Sequence, residues 1–170
     1  MKTIWAPWRI NYILSEKPDY CIFCKALEEK EDEKNFIIKR GKHSFVIMNA
    51  YPYNNGHVMV APYKHLACIT DLNQETSLEI HFLTQESVRI LRSVLNSEGF
   101  NIGMNLGKVA GAGVEDHVHI HIVPRWLGDT NFMPVIADTK VFPEYLKTTY
   151  EKLIPFYKAI NFKPPIISKS

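Results

Sequence analysis

Apolar residues recur along this chain with two different periods. Short runs alternate or are continuous over four to seven residues. Phe36 to Lys39, Phe45 to Met48, Val58 to Ala61 and Phe100 to Leu106 read as strands of this kind. Gly41-Lys42-His43-Ser44 and Asn54-Asn55-Gly56 supply turns between them. A fifth run, His117-Val118-His119-Ile120-His121-Ile122-Val123-Pro124, alternates histidine with apolar residues. Successive side chains of a strand point to opposite faces. Val118, Ile120 and Ile122 are therefore expected to face a core, with all three histidines on the other face.

The helical period dominates elsewhere. Asp71-Leu72-Asn73-Gln74 opens a long helix expected to run to about Ser97 and to be closed by Gly99. Ile80, Leu83, Ile90, Leu91 and Val94 form its buried stripe. Cys21 to about Lys30 suits a short helix. The charged run Glu28 to Lys34 reads as a solvated segment. Pro143 fits the first turn of a C-terminal helix, and Pro155 predicts its end near Leu153. Tyr145, Leu146, Tyr150, Leu153 and Ile154 would pack that helix onto the rest. Gly107 to Gly113 is too glycine-rich for a regular element. Strands broken by one long helix predict an α+β fold with a five-stranded, mainly antiparallel sheet.

Composition narrows the picture without changing it. The chain has 170 residues, of which 46% are hydrophobic, enough for a sizeable core. Twenty basic residues against 18 acidic leave a net charge of +2. That balance argues against non-specific nucleic-acid binding, which needs a concentrated basic surface. No apolar run approaches a membrane span, and Met1 to Arg9 lacks the apolar segment of a signal peptide. Three cysteines do not make a disulfide framework. A cytoplasmic enzyme is the simplest expectation. Met1 to Tyr20, rich in aromatics and proline, reads as an ordered arm. Residues 21–126 are expected to form the domain, and 127–170 an extension packed on it.

The histidine row carries the candidate chemistry. A strand face with imidazole at each position is costly to bury without partners. Residues two apart on a strand are separated by ~6.6 Å, so three histidines do not converge on one ion. The row is expected to divide its labour. One end can join a metal site, the middle can do chemistry, and the other end can bind or protonate a charged substrate. Cys21-Ile22-Phe23-Cys24 has the spacing that lets two thiolates grip one zinc, although a redox pair or two buried thiols fit it too.

The row His117-Val118-His119-Ile120-His121-Ile122-Val123 resembles the signature of the histidine triad superfamily of nucleotide hydrolases and transferases. Upstream, Asn49-Ala50-Tyr51-Pro52-Tyr53-Asn54-Asn55-Gly56-His57 and Ala61-Pro62-Tyr63-Lys64-His65 resemble its nucleotide-binding segment. The resemblance spans about Cys21 to Arg125. It implies a five-stranded sheet that a homodimer extends across two chains. It implies a structural zinc held by Cys21, Cys24, His65 and His117. Cys68 has no counterpart in that pattern and is read as a small buried hydrophobe.

The resemblance also assigns roles. His119 would attack the α-phosphorus of a nucleotide, forming a nucleotidyl-histidine, and His57 would support it. His121 would bind phosphate and assist proton movement. Asn49 would hold the ribose, and Asn105 would lie near the leaving phosphates. Gly111, Ala112 and Gly113 could turn main-chain N–H groups to phosphate oxygens.

The chain departs from the common pattern before the triad. Gly111-Ala112-Gly113-Val114-Glu115-Asp116 lacks the Gly-Gln that many triad hydrolases carry there. That loss leaves room for inorganic phosphate as the second acceptor. Trp5-Ala6-Pro7-Trp8-Arg9 and Pro124-Arg125-Trp126-Leu127-Gly128-Asp129-Thr130-Asn131-Phe132 resemble a bacterial branch that includes diadenosine-tetraphosphate phosphorylases. The resemblance thus implies a dinucleoside polyphosphate as substrate, split by phosphate into ADP and ATP. The alternatives are a hydrolase of phosphoramidates or dinucleoside polyphosphates, and a nucleotide-binding regulatory protein.

Overall fold

The computed structural model describes residues 19–129 and 144–161. Most of the expected N-terminal arm, and Pro143, lie outside the described residues. Eight elements make up the fold: α1 (Ile22–Glu29), β1 (Ile37–Arg40), β2 (Ser44–Met48), β3 (Val58–Pro62), α2 (Gln74–Leu95), β4 (Gly99–Gly103), β5 (Ile120–Arg125) and α3 (Leu146–Lys158). The five strands form one antiparallel sheet in the order β1-β2-β3-β5-β4. The expected α+β class is the observed one.

Both faces of the sheet are covered, which explains the continuous apolar runs of β2 and β3. On one face Val46, Met48, Val58, Val60 and Ile122 pack against Ile80, Leu83, Ile90 and Leu91 of α2 and Tyr150, Leu153 and Tyr157 of α3. On the other, Phe45, Ile47, Met59 and Ala61 pack under Phe23 and Ala26 of α1. Alternation with period two sorts these side chains between two cores.

Helix α2 begins where Asn73 accepts a bond from the Thr76 N–H at 2.9 Å, capping an otherwise orphaned donor. It ends earlier than the sequence predicts. Asn96, with φ 52°, takes the left-handed closing position expected of Gly99, which instead opens β4. The Trp126 indole N–H reaches the Leu95 and Asn96 carbonyls, at 3.2 and 3.0 Å. Those contacts occupy carbonyls that a helix end leaves without partners.

The C-terminal helix corrects a second expectation. It continues through Pro155 to Lys158 instead of stopping near Leu153. Tyr157 is fully buried, and its packing outweighs the one backbone bond the proline removes. Tyr145 does not pack as expected; it is 85% exposed, just before the helix. Strand β4 is shorter than its apolar run, so Met104 to Leu106 lie beyond it. The glycine-rich stretch contains one 3-10 turn, Lys108–Ala110. Cys68 is half-buried beside the short turn Ile69–Asp71, so it is not the core residue expected.

Candidate active site

Antiparallel pairing of β3 with β5 sets Met59 opposite His121. Met59 belongs to the core under α1, so His121 emerges on that same face. Ile120 and Ile122 turn to the α2 face, as the alternation predicts. The histidine row is not one continuous strand, however. Strand β5 starts only at Ile120. Ahead of it, the Val118 N–H donates to the Leu66 carbonyl at 2.6 Å. There His117 meets the cysteine pair, while the Phe23 ring contacts both it and His119.

Hydrogen bonds fix each imidazole's tautomer, because carbonyls only accept and backbone N–H groups only donate. His119 Nδ1–H donates to the His117 carbonyl at 2.8 Å. A neutral His119 therefore keeps its lone pair on Nε2. Burial holds the His119 pKa below its ordinary value, against the opposing pull of that carbonyl. The ring is thus neutral at neutral pH, as a nucleophile must be. Tyr53 N–H donates to His57 Nδ1 at 3.1 Å. His57 then carries its proton on Nε2 and donates to His121 Nδ1 at 3.0 Å. His121 is left with Nε2–H as a donor. The His119 and His121 rings lie 4.7 Å apart, edge to face.

A cleft of about 780 Å³ opens over this face. His119, His121, Asn49, Asn105, Gly111 and Gly113 line it. His57, 1% exposed, sits behind His121 instead of in the cleft. Ala112 is buried and does not line it. The Gly111 N–H bonds the Lys108 carbonyl at 2.9 Å, and the Ala112 N–H points to the Gly107 carbonyl at 3.4 Å. Gly113 alone of the three makes no such bond within the loop. Asn49 Oδ1 accepts the Tyr51 N–H at 2.8 Å. Asn105 Nδ2 faces the Gly111 carbonyl at 3.4 Å, tying β4's continuation to the glycine loop.

Two contributors escape sequence reasoning. Phe23, the second residue between the two cysteines, puts its ring 4.9 Å from His119 and 5.2 Å from His117. Its only signal is an apolar residue inside the cysteine pair. Tyr53 acts through its backbone N–H and a ring stacked on His57 at 5.2 Å. A backbone donor leaves no mark on a sequence.

His117 turns toward the cysteines at the start of α1. Cys21, Cys24, His65 and His117 place four donor atoms within 4.8 Å of one another. The Cys21 and Cys24 Sγ atoms lie 3.3 and 3.7 Å from His117 Nδ1, and Cys24 Sγ lies 3.4 Å from His65 Nδ1. Sulfur and nitrogen bound to one tetrahedral zinc are separated by about 3.5 Å. His117 Nε2–H donates to the Pro62 carbonyl at 2.8 Å, which frees Nδ1 to face the thiols. The four residues can therefore hold a metal ion. Burial first, then the neighbouring Cys21 thiol, pushes the Cys24 thiol up to about 11.

Fold and site together define an α+β protein with a histidine-built cleft on one sheet face, beside a cluster suited to a metal. The chain belongs to the HIT domain family, which matches residues 29–126. It is 36% identical over 157 residues to an AP-4-A phosphorylase of Mycobacterium tuberculosis, spanning 88% of this chain and 80% of that one. It is 35% identical over 82 residues to a bis(5'-adenosyl)-triphosphatase of Dictyostelium discoideum, spanning 48% and 54%. Among solved structures, a zinc-bound histidine triad family protein from Mycobacterium smegmatis superposes with a TM-score of 0.66. That match is 26% identical and covers 81% of this chain and 93% of the other.

Proposed function

We propose that this protein transfers a nucleotidyl group from a dinucleoside polyphosphate to inorganic phosphate through a covalent histidine. The observation that carries the proposal is the neutral, oriented His119, whose Nε2 lone pair is left for the cleft. With diadenosine tetraphosphate, Nε2 attacks the α-phosphorus and ATP leaves. Phosphate then attacks the adenylyl-histidine, releases His119 and forms ADP. Two easier displacements replace one difficult one.

The other residues take supporting parts in this reading. His121 Nε2–H donates to the phosphoryl oxygens, and His57 fixes its tautomer. Asn49 holds the ribose, and Asn105 with the Gly113 N–H meets the leaving phosphates. Gly111 and Ala112 shape that loop through their own bonds. Zinc on Cys21, Cys24, His65 and His117 ties α1 to the residues before β5, with a structural role. The chemical step needs no metal.

The absence of a Gln in residues 111–116 supports phosphate as acceptor, as does the 36% identity to the AP-4-A phosphorylase. Hydrolysis is the second reading, favoured by the likeness to the triphosphatase. We further propose a homodimer paired along β4. That strand is an edge of the sheet, and Asn101, Ile102 and Gly103 are exposed on it. No helix among the described residues is long and apolar enough to cross a membrane. A cytoplasmic location, which keeps the zinc thiols reduced, is part of the proposal.

Purified protein incubated with diadenosine tetraphosphate decides between the readings. ADP and ATP formed only with added phosphate is the expected outcome. AMP and ATP released in phosphate-free buffer, at a rate indifferent to phosphate, would make the protein a hydrolase. Nucleotide binding with no turnover on a panel of such substrates would make it a regulatory protein.

A further inference from the structure

The turn at residues 54–56 ends immediately before His57, and three parts of the chain hold it. From the β5 end, Asn54 Nδ2 donates to the Pro124 carbonyl at 3.0 Å and to the Asp129 carboxylate at 2.9 Å. From helix α3, the fully buried Thr149 places Oγ1 3.1 Å from Asn55 Oδ1 and 2.7 Å from the Glu144 carboxylate. A hydroxyl has one proton, so Asn55, Thr149 and Glu144 form a single shared network. From helix α2, Leu95 closes on Gly56. A Cβ at that glycine, whose φ is +71°, would lie 2.4 Å from Leu95 Cδ1.

The held turn leads directly into the histidine relay. The His57 N–H donates to the Asn54 carbonyl at 3.2 Å, and the His57 carbonyl accepts from the Asn49 N–H at 2.9 Å. The Tyr53 N–H that selects the His57 tautomer is on the other side of the same turn. Movement of the turn shifts that donor against the ring. The choice then passes to His121 across the 3.0 Å contact between the two rings.

We infer that Asn54, Asn55 and Thr149 are positioning residues for the histidine site. Through them, helix α3 and the end of β5 set the tautomers of His57 and His121. This rests on the nucleotidyl transfer proposed above for its effect on rate, but not for its effect on the imidazoles. Neither Asn55 nor Thr149 lines the cleft, so a contact with substrate is not their route of action.

The test uses full-length protein with ¹⁵N-labelled histidine, as parent and as Thr149→Val, Thr149→Ser and Asn55→Ala. Two-bond proton–nitrogen correlation spectra report which ring nitrogen carries the proton. Parent and Thr149→Ser, which keeps the hydroxyl, are expected to hold His57 and His121 as Nε2–H tautomers. Thr149→Val and Asn55→Ala are expected to show mixed tautomers. They should also lose kcat by about tenfold or more with KM within about twofold, because misplacement costs turnover more than binding. Parental spectra in both variants, with only a lower melting temperature, would overturn the inference. Should Thr149→Val fail to fold, Asn55→Ala at its half-buried surface position decides alone. A parent that turns over no dinucleoside polyphosphate would defeat the proposed function, and the spectra would still decide this inference.

Discussion

At the residue scale, the site depends on which nitrogen of each ring is bonded. His119→Ala removes the proposed nucleophile and its proton transfers together. Turnover is expected to fall by at least ~10²–10⁴-fold with the fold retained, as circular dichroism and product assays would show. Comparable activity in parent and variant would remove His119 from the mechanism. A second residue governs stability instead. Glu79 is 1% exposed and accepts bonds from the Lys42, His43 and Ser44 N–H groups at 2.6–2.7 Å and from the Ser44 hydroxyl at 2.8 Å. Burial alone would raise its pKa, but these four donors hold the carboxyl below its ordinary value. Its contribution is therefore present above the unfolded carboxylate pKa, ~4.3, and is lost as pH falls through the lower folded value. Glu79→Gln should cost about 2–3 kcal/mol at neutral pH in urea unfolding. The difference from parent should shrink at about pH 3. A constant difference across that range would show that the charge itself contributes nothing.

At the element scale, helix ends and strand ends differ most from the sequence expectation. The predicted stop of α2 near Ser97 moves to Leu95 because Trp126, distant in sequence, reaches its last carbonyls. Trp126→Phe keeps most of the ring and loses the N–H. It should lower stability by about 1 kcal/mol, measured by chemical denaturation. No change would mean that solvent satisfies those carbonyls equally well. The persistence of α3 through Pro155 follows the same logic, since buried Leu153 and Tyr157 fix the helix from its packed face. Strand β5 starts late for the opposite reason. Leu66 and the cysteine pair hold the residues before it, so the histidine alternation extends beyond the strand.

At the scale of the whole molecule, the four candidate metal ligands join segments far apart in sequence: α1, the residues after β3, and the residues before β5. On the proposed zinc site, uptake displaces the Cys24 proton, since burial and the neighbouring Cys21 push that thiol up to about 11. Titration calorimetry of the apoprotein at neutral pH, in buffers of different ionisation enthalpy, should detect release of at least about one proton per zinc. Metal analysis should find about one zinc per chain. Cys21→Ser with Cys24→Ser should lose metal and stability more than intrinsic chemistry. Uptake without proton release, or protein that takes up no zinc, would refute the site as drawn.

Local chemistry made much of this protein legible before its structure. The continuous apolar runs of β2 and β3, the period-two alternation of the histidine row, and the apolar stripe of α2 are consequences of backbone geometry that any reader of the sequence can use. They yield the α+β sheet, and the histidine row with the motifs around it yields the candidate site residues. Tertiary structure decided what alternation cannot express. It set His117 against the two thiols and left His119 and His121 to line the cleft, with Phe23 touching both His117 and His119. It recruited Phe23, Glu79 and Thr149, whose roles depend on partners 35 to 96 residues away. It also fixed the proton positions of the imidazoles, since a tautomer is set by whichever donor or acceptor the folded chain brings within about 3 Å.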